Sequence, residues 1–511
     1  MCIIMETTTV MEVWTMFKRY KRNKSASDKS DEKRAQSFEE ILLLIEERFK
    51  DCPDIIRRKV SLKDYRRGLF IYVEELIDKD LVQRDFINTI LNMEYENMIR
   101  EETLQNLPVA ILTFPNDADV MVSNILAGNA VFIGEDIEYI LSCDLKKLDK
   151  RSIEEPETEK NVRGSHEGFI EVLKTNMGIL RRRIKNSNLK FKTFKLGTTT
   201  NQMVVIAYIE DIANPSLLEI LSEKIGSINF DGFLSIGAIE QFITDHPNSP
   251  FPQYQATERP DKVAASLLEG KLVVMLDSTP VSLIVPVNFF GFFQAPDDYS
   301  TNWMFGTFLR ILRLANGLTA IFLPAIYIAI LSFHYYAVPL NLLIPLAESR
   351  ARVPFPPIVE ALIMELTLET LREASIRLPT YIGTSIGVVG GLIIGQAAVE
   401  AGIVSNLMVI VVAVTAIASF VIPNYDMGLA IRLIRFFVMI AASIFGIIGI
   451  IVASSLITGH LVTLESLGQP YFQPLIPFKF KDLKDTFIRL PIQSHYKRPD
   501  IAQPLDNKRG K

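Results

Sequence analysis

The rhythm of hydrophobic and polar positions changes once, decisively, about halfway along the chain. In the first half the periods are short. Ser37-Phe38-Glu39-Glu40 has the form of a capping box, in which Ser37 caps a helix and Glu40 reaches back. Phe38, Ile41, Leu42, Ile45 and Phe49 then recur on one face, predicting an amphipathic helix that Cys52-Pro53-Asp54 ends. Residues 69–73 predict a strand and residues 80–92 a helix. Residues 130–133 predict another strand, entered through a hairpin turn at Ala127-Gly128-Asn129. After a charged stretch at 146–163, residues 169–182 predict a helix. Residues 190–195 and 203–209 predict strands around the turn Gly197–Thr200, and residues 215–225 predict a helix. Alternating helix and strand predicts an α/β fold class for this half, built as two small α/β modules.

From residue 272 the periods give way to long apolar runs. Crossing a bilayer takes about 20 mostly apolar residues. Stretches 314–347, 401–425 and 436–464 carry no Asp, Glu, Lys or Arg, and the glycine-rich stretch 378–399 is a fourth candidate. Residues 281–295 are apolar but short and interrupted by Pro286 and Gly291, so they read as a short span or a re-entrant segment. An α-helical transmembrane domain of about five spans is the expectation. The expected organisation is a mobile basic leader at 1–36, a first cytosolic module at 37–150 and a second at 151–275. A helical membrane domain at 276–460 and a polar C-terminal tail at 461–511 complete it.

Composition sharpens this picture. Between residues 272 and 478 there is no lysine, and every cation is an arginine. If 281–295 crosses and the N-terminal half is cytosolic, Arg350, Arg352, Arg372, Arg377, Arg432 and Arg435 fall inside, and Arg310 and Arg313 outside. The basic tail would then be exported, and losing one span would reverse every later loop. A formal net charge of −5 argues against nucleic-acid binding. Cys2, Cys52 and Cys143 show no paired spacing and read as reduced thiols. The cluster Lys18–Lys24 follows an apolar stretch instead of preceding it, which is not the order of a secretory signal. It reads as a solvated leader, with an electrostatic touch on anionic lipid as the alternative.

Candidate chemistry is sparse. His166 and His246 are isolated, which favours surface or structural roles over metal binding. Gly270-Lys271 lacks the rest of a phosphate loop. Gly383-Thr384-Ser385-Ile386-Gly387 matches a hydrolase elbow in letters only, because a membrane helix follows it. No catalytic residue, cofactor or metal is expected, and the chain does not read as an enzyme. Gly383, Gly387, Gly391 and Gly395 fall at every fourth position and predict a helix-packing face. Glu365, Glu369 and Glu373 form a stripe of like charges that needs compensation from Arg372, Arg377, water or cations. With Glu400, they are the candidate ion pathway, a carboxylate ring at the mouth of an oligomer; the alternative is the wet face of an interfacial helix.

The ordered motifs point to a family. Ser249-Pro250-Phe251-Pro252-Gln253, Thr257-Glu258-Arg259-Pro260-Asp261-Lys262-Val263, Leu276-Asp277-Ser278-Thr279-Pro280 and Pro296-Asp297-Asp298-Tyr299 come first. Val353-Pro354-Phe355-Pro356-Pro357, Leu371-Arg372-Glu373-Ala374, Gly395–Ala401 and Pro470-Tyr471-Phe472 continue the series. From about residue 38 to 492 the chain resembles the A subunits of GerA-type nutrient germinant receptors of endospores. The resemblance implies a multi-pass protein of the spore inner membrane, with its N-terminal half on the cytosolic, core side. It implies a permease-like B subunit and a lipoprotein C subunit as partners, a homo-oligomer in membrane lipid, and nutrient-triggered release of cations followed by dipicolinic acid. The alternatives are a stage V sporulation protein AF-like paralogue assisting dipicolinic-acid release, and a secondary transporter, against which no internal repeat is evident.

Overall fold

The computed structural model describes residues 38–98, 112–146 apart from 116 and 138, 163–378, 390–391 and 393–510, together with Leu104, Pro156 and Glu159. The leader, Ser37, Cys2, Gly383 and Gly387 lie outside the described residues.

The first module opens with α1 (Phe38–Arg48), whose Ile41 and Ile45 are buried. Strands β1 (Ile55–Ser61) and β2 (Arg67–Val73) follow as an antiparallel pair. Helix α2 consists of consecutive pieces Lys79–Leu81, Val82–Ile87 and Asn88–Asn92, the middle one π-helical. Then come β3 (Leu112–Thr113), α3 (Ala118–Leu126), β4 (Ala130–Gly134) and β5 (Leu141–Cys143). The sheet order is β1-β2-β4-β5-β3, antiparallel throughout. Apolar residues of α1 and α3 pack on one face and those of α2 on the other. The predicted hairpin turn at Ala127–Asn129 is instead the end of α3. Gly128 sits at φ 92 beyond the cap, where a left-handed residue satisfies the last carbonyls.

The second module repeats this plan. It runs α4 (Leu173–Arg183), β6 (Leu189–Leu196), β7 (Gln202–Ile209), α5 (Pro215–Gly226), α6 (Ile236–Ile243), β8 (Gln255–Thr257), α7 (Pro260–Leu268), β9 (Leu272–Leu276) and β10 (Ser282–Val285). Its order, β6-β7-β9-β10-β8, reproduces the first sheet strand for strand. Gly270, at φ 88 after α7, matches Gly128 after α3, which is the structural reason for the Gly-Lys pair that failed as a phosphate loop. Residues 281–295 are therefore not a span. Ser282–Val285 is a buried strand and Phe289–Phe293 a 3-10 turn beneath it. With both sheet faces covered, β9 and β10 are apolar at nearly every position, so their pattern imitates the start of a membrane segment.

The modules are joined by buried polar bonds. Arg181 of α4 donates from Nε and Nη2 to both oxygens of Asp54 at 2.8 and 3.0 Å. Lys190 Nζ donates to the carbonyls of Arg48 and Lys50.

The helical region begins with α8 (Trp303–Phe333) and α9 (Leu340–Arg350), followed by α10 (Pro357–Arg377), a helical run at 393–400, α11 (Asn406–Phe420) and α12 (Tyr425–Thr463). Of these, α8 and α12 are long and apolar enough to cross a membrane. Yet α12 is not one rod. Gly446 has φ 61 and ψ −137, and a side chain on Gly449 would strike the carbonyl of Ala441. Leu433 and Phe437 face Leu456, Ile457 and His460 across one groove, so α12 is a tight hairpin with arms 425–445 and 447–463. Helix α8 runs parallel to the first arm: Gly317 lies near Ile431, and Phe333 and His334 lie near Gly446. The apolar core of the second module continues without a break into these helices.

Candidate functional site

The charged residues of the helical region gather on α10 and the first arm of α12. Pro357 occupies the first turn of α10, where a missing N–H costs nothing, and the helix then carries Glu360, Glu365, Glu369 and Glu373 along its length. Each carboxylate meets arginine. Arg435 donates to Glu365, and this pair is almost wholly buried. Glu369 accepts from Arg372 Nη1 through one oxygen and from Arg432 Nη1 through the other, both at 2.9 Å. Arg372 also donates to Ser419 Oγ of α11 at 3.0 Å. Arg377 closes the exposed Glu373. A ladder of four arginines and three glutamates results.

Sequence reasoning named Arg372 and Arg377 as compensating charges. It placed Arg432 and Arg435 only in a loop, because their partners lie more than sixty positions away. The signal was their i, i+3 spacing, which puts both on one helix face, as the i, i+4 spacing does for Glu365 and Glu369 on a facing helix. Within the ladder Glu365 Oε1 and Arg435 Nε and Nη2 are buried without hydrogen-bond partners.

Glu360 is a further buried carboxylate, and the sequence reading gave it no role. It pairs with Arg350 at 3.0 Å and accepts from the backbone N–H of Ser405, which caps α11. Tyr327 of α8 and Ser405 share a hydrogen bond of 2.8 Å, tying three helices at this level. Glu400 stands apart from the ladder, exposed, and accepts from Gln396. Of the predicted glycine face, Gly395 borders Val409 of α11 with room for a methyl group, and a side chain on Gly391 would meet none of the described residues within 4 Å. Close approach occurs elsewhere: a side chain on Gly306 would lie 2.8 Å from the carbonyl of Asp298, and one on Gly317 2.9 Å from Phe293.

The motif residues build the joint between the second module and the helices. Ser249 Oγ lies 2.9 Å from His460 Nε2 at the end of the hairpin. Tyr471 donates to the carbonyl of Pro252, and Ser466 Oγ bridges the carbonyl of Gln253 and the N–H of Val287. Arg259 is fully buried; it holds Asp261 through two nitrogens and the carbonyls of Glu159 and Ser165. Asp298, also fully buried, neutralises Arg313 at 2.8 Å and Arg310 at 3.5 Å at the start of α8. Nearby, burial and then the Asp426 carboxylate push the Glu240 acid up to about 7. Beyond the hairpin, the tail lies back on the second module: Leu505 N–H donates to Ile212, Arg498 Nε to Leu268, and Arg509 pairs with Glu269.

Fold and site together define a class of protein. A tandem α/β region is joined through buried charges to a helical region with two candidate apolar spans among the described residues, one of them a folded-back hairpin. The chain belongs to the Bacillus/Clostridium GerA spore germination protein family, whose model matches residues 44–501. Spore germination protein A1 of Bacillus subtilis (strain 168) is 40% identical over 91% of this chain and 96% of its own length. Spore germination protein GerLA of Bacillus cereus is 38% identical over 92% and 96%. The protein titled uncharacterized membrane protein YfkQ of Bacillus subtilis (strain 168) is 40% identical over 93% and 92%. The crystal structure of the N-terminal domain of the A subunit of the Bacillus megaterium spore germinant receptor GerK3 is 26% identical. It covers half of this chain and 96% of its own, with a TM-score of 0.37.

Proposed function

We propose that the chain is the A subunit of a spore nutrient germinant receptor. It is a multi-pass protein of the spore inner membrane that works with a permease-like B subunit and a lipoprotein C subunit to turn nutrient binding into cation release. Family membership supports the germination role. The observation that carries the ion-handling part is the ladder. A protein seldom places seven ionisable groups on apolar helices without using them, since charge near the hydrocarbon core is costly. Its unpartnered buried atoms on Glu365 and Arg435 are where water or a moving ion gains most.

The fold supports a particular topology. Because α12 turns back at Gly446 and the tail rests on the second module, both soluble parts face one side, and the chain crosses an even number of times. Arg310, Arg313, Arg372, Arg377, Arg432 and Arg435 lie toward the module end of the helices, and Arg350 and Arg352 toward the other. The positive-inside bias then places the modules on the cytosolic, core side. This is a better distribution than the five-span arrangement gave, because the basic tail is not exported while the arginines still divide six inside and two outside. Homo-oligomerisation, with the ladders of several copies around one path, completes the proposal.

The test has two parts. Spores lacking the gene should fail to answer one class of nutrient yet still germinate under a non-nutrient trigger. Intact nutrient responses with slowed dipicolinic-acid release would point to the sporulation paralogue instead. Removing carboxylates alone would strand buried arginines, at about 3–5 kcal/mol for a broken buried pair. The ion path is therefore better tested with Glu373→Gln at the exposed rung, and with the paired change Glu365→Leu and Arg435→Met at the buried one. Cation release should fall while the protein level in spores stays normal; unchanged release in both would remove the ladder from the pathway.

A further inference from the structure

We propose that the cavity where α10, α11 and α12 meet binds one anionic phospholipid, with its phosphate against Arg372 and Arg432. The proposal rests on the reading that these helices lie in a bilayer. The cavity holds about 670 Å³, within the range of small-molecule sites. Its walls are apolar, led by Leu371, Phe420 and Ile422, and two guanidiniums enter it.

Charge identifies the ligand. Elsewhere on the ladder each carboxylate has one arginine, but Glu369 alone serves both Arg372 and Arg432. One positive charge is left over at this rung. The carbonyl ends of α10 and α11 (about −0.5 each) and the amide end of α12 (about +0.5) reduce that surplus without cancelling it. Arg372 Nε is buried and has no acceptor. Its guanidinium is held over the Phe420 ring at 4.5 Å, so its position is fixed before any ligand arrives. The site thus offers a pre-set donor, a net positive charge and an oily wall. Free phosphate would surrender its hydration to that wall for nothing in return; a phosphodiester carrying acyl chains gains on both counts.

Depth agrees. Arg432 lies seven residues into α12, about 10 Å along its axis, from the end that faces the soluble module. That is the level of lipid headgroups, and basic pockets between helices on this side of a membrane favour anionic ones.

The full chain would be purified in neutral detergent and offered phosphatidylglycerol, phosphatidylcholine or inorganic phosphate. Retained lipid would be counted by native mass spectrometry and thermal unfolding followed in parallel. Phosphatidylglycerol should be retained roughly fivefold or more over phosphatidylcholine, the scale of one arginine contact at an anionic surface, and should raise the unfolding temperature. Ser375→Trp fills the cavity and leaves every charge in place. It should abolish that preference while unfolding like the wild type without lipid, and Arg372→Gln should weaken it. Equal retention of the two lipids, or a preference that survives Ser375→Trp, would overturn the proposal, as would an equal shift with inorganic phosphate alone. A chain that stays monodisperse without detergent would instead overturn the membrane reading beneath it.

Discussion

Glu240 shows how a single side chain can report on the joint between the two halves. It lies on α6, and its acid is raised to about 7 by burial first and by the Asp426 carboxylate of α12 second. A carboxyl whose folded value exceeds its unfolded value keeps its proton more tightly when folded. Folding stability therefore falls as pH rises from the ordinary glutamate range through about 7. The Glu240→Gln protein should be more stable than the wild type at pH 8, with the difference closing toward pH 4.5; thermal unfolding in detergent across that range measures it. A constant difference at all pH values would assign the effect to packing. The arginines of the helical region carry a similar lesson. The absence of lysine between 272 and 478 was visible in composition, but its reason lies in geometry. Arg372 bonds Glu369, Ser419 and the Phe420 face at once, which a single ammonium cannot do.

Among the elements, α12 departs most from its sequence signal. Residues 436–464 read as one uncharged span, whereas the helix breaks at Gly446 and doubles back. A hydropathy pattern records that residues are apolar, not which way the chain runs, and the glycine is one among several in an apolar run. Gly446→Ala should cost about 1–3 kcal/mol for the forced left-handed backbone, since only glycine holds φ 61 with ψ −137 at ease. The added methyl would also lie 2.7 Å from His334 Cε1. Gly459→Ala, on the second arm, meets no neighbour and should be neutral or stabilising by roughly 0.5–1 kcal/mol. Unfolding temperatures of the two variants side by side decide whether the turn is as tight as described. The repeat of the two α/β modules is another element-scale feature absent from the sequence reading. It is carried by strand order and by the paired glycines Gly128 and Gly270, not by similar residues along the strands.

At the scale of the whole molecule, the main expectation is that both soluble parts share one side. In a background lacking Cys2, cysteines at the exposed positions Tyr65 and Ile492 should react together with a membrane-impermeant reagent. One at Tyr336, near the hairpin turn, should react only from the opposite face. Labelling of Ile492→Cys and Tyr336→Cys from the same face would contradict the folded-back α12.

The sequence by itself determined the change of regime near residue 272, the tendency of most early segments, the acidic stripe on α10 and the family. These depend on local periodicity, or on residues close enough in the chain to be read together. Only the tertiary structure decided that 281–295 completes a sheet, that α12 is a hairpin, and that Arg432 and Arg435 close the stripe. A buried strand and a membrane helix look alike to a composition window, because both exclude water on every side. Ion pairing across some seventy residues has no sequence period at all; it exists only once packing has chosen which helices face each other.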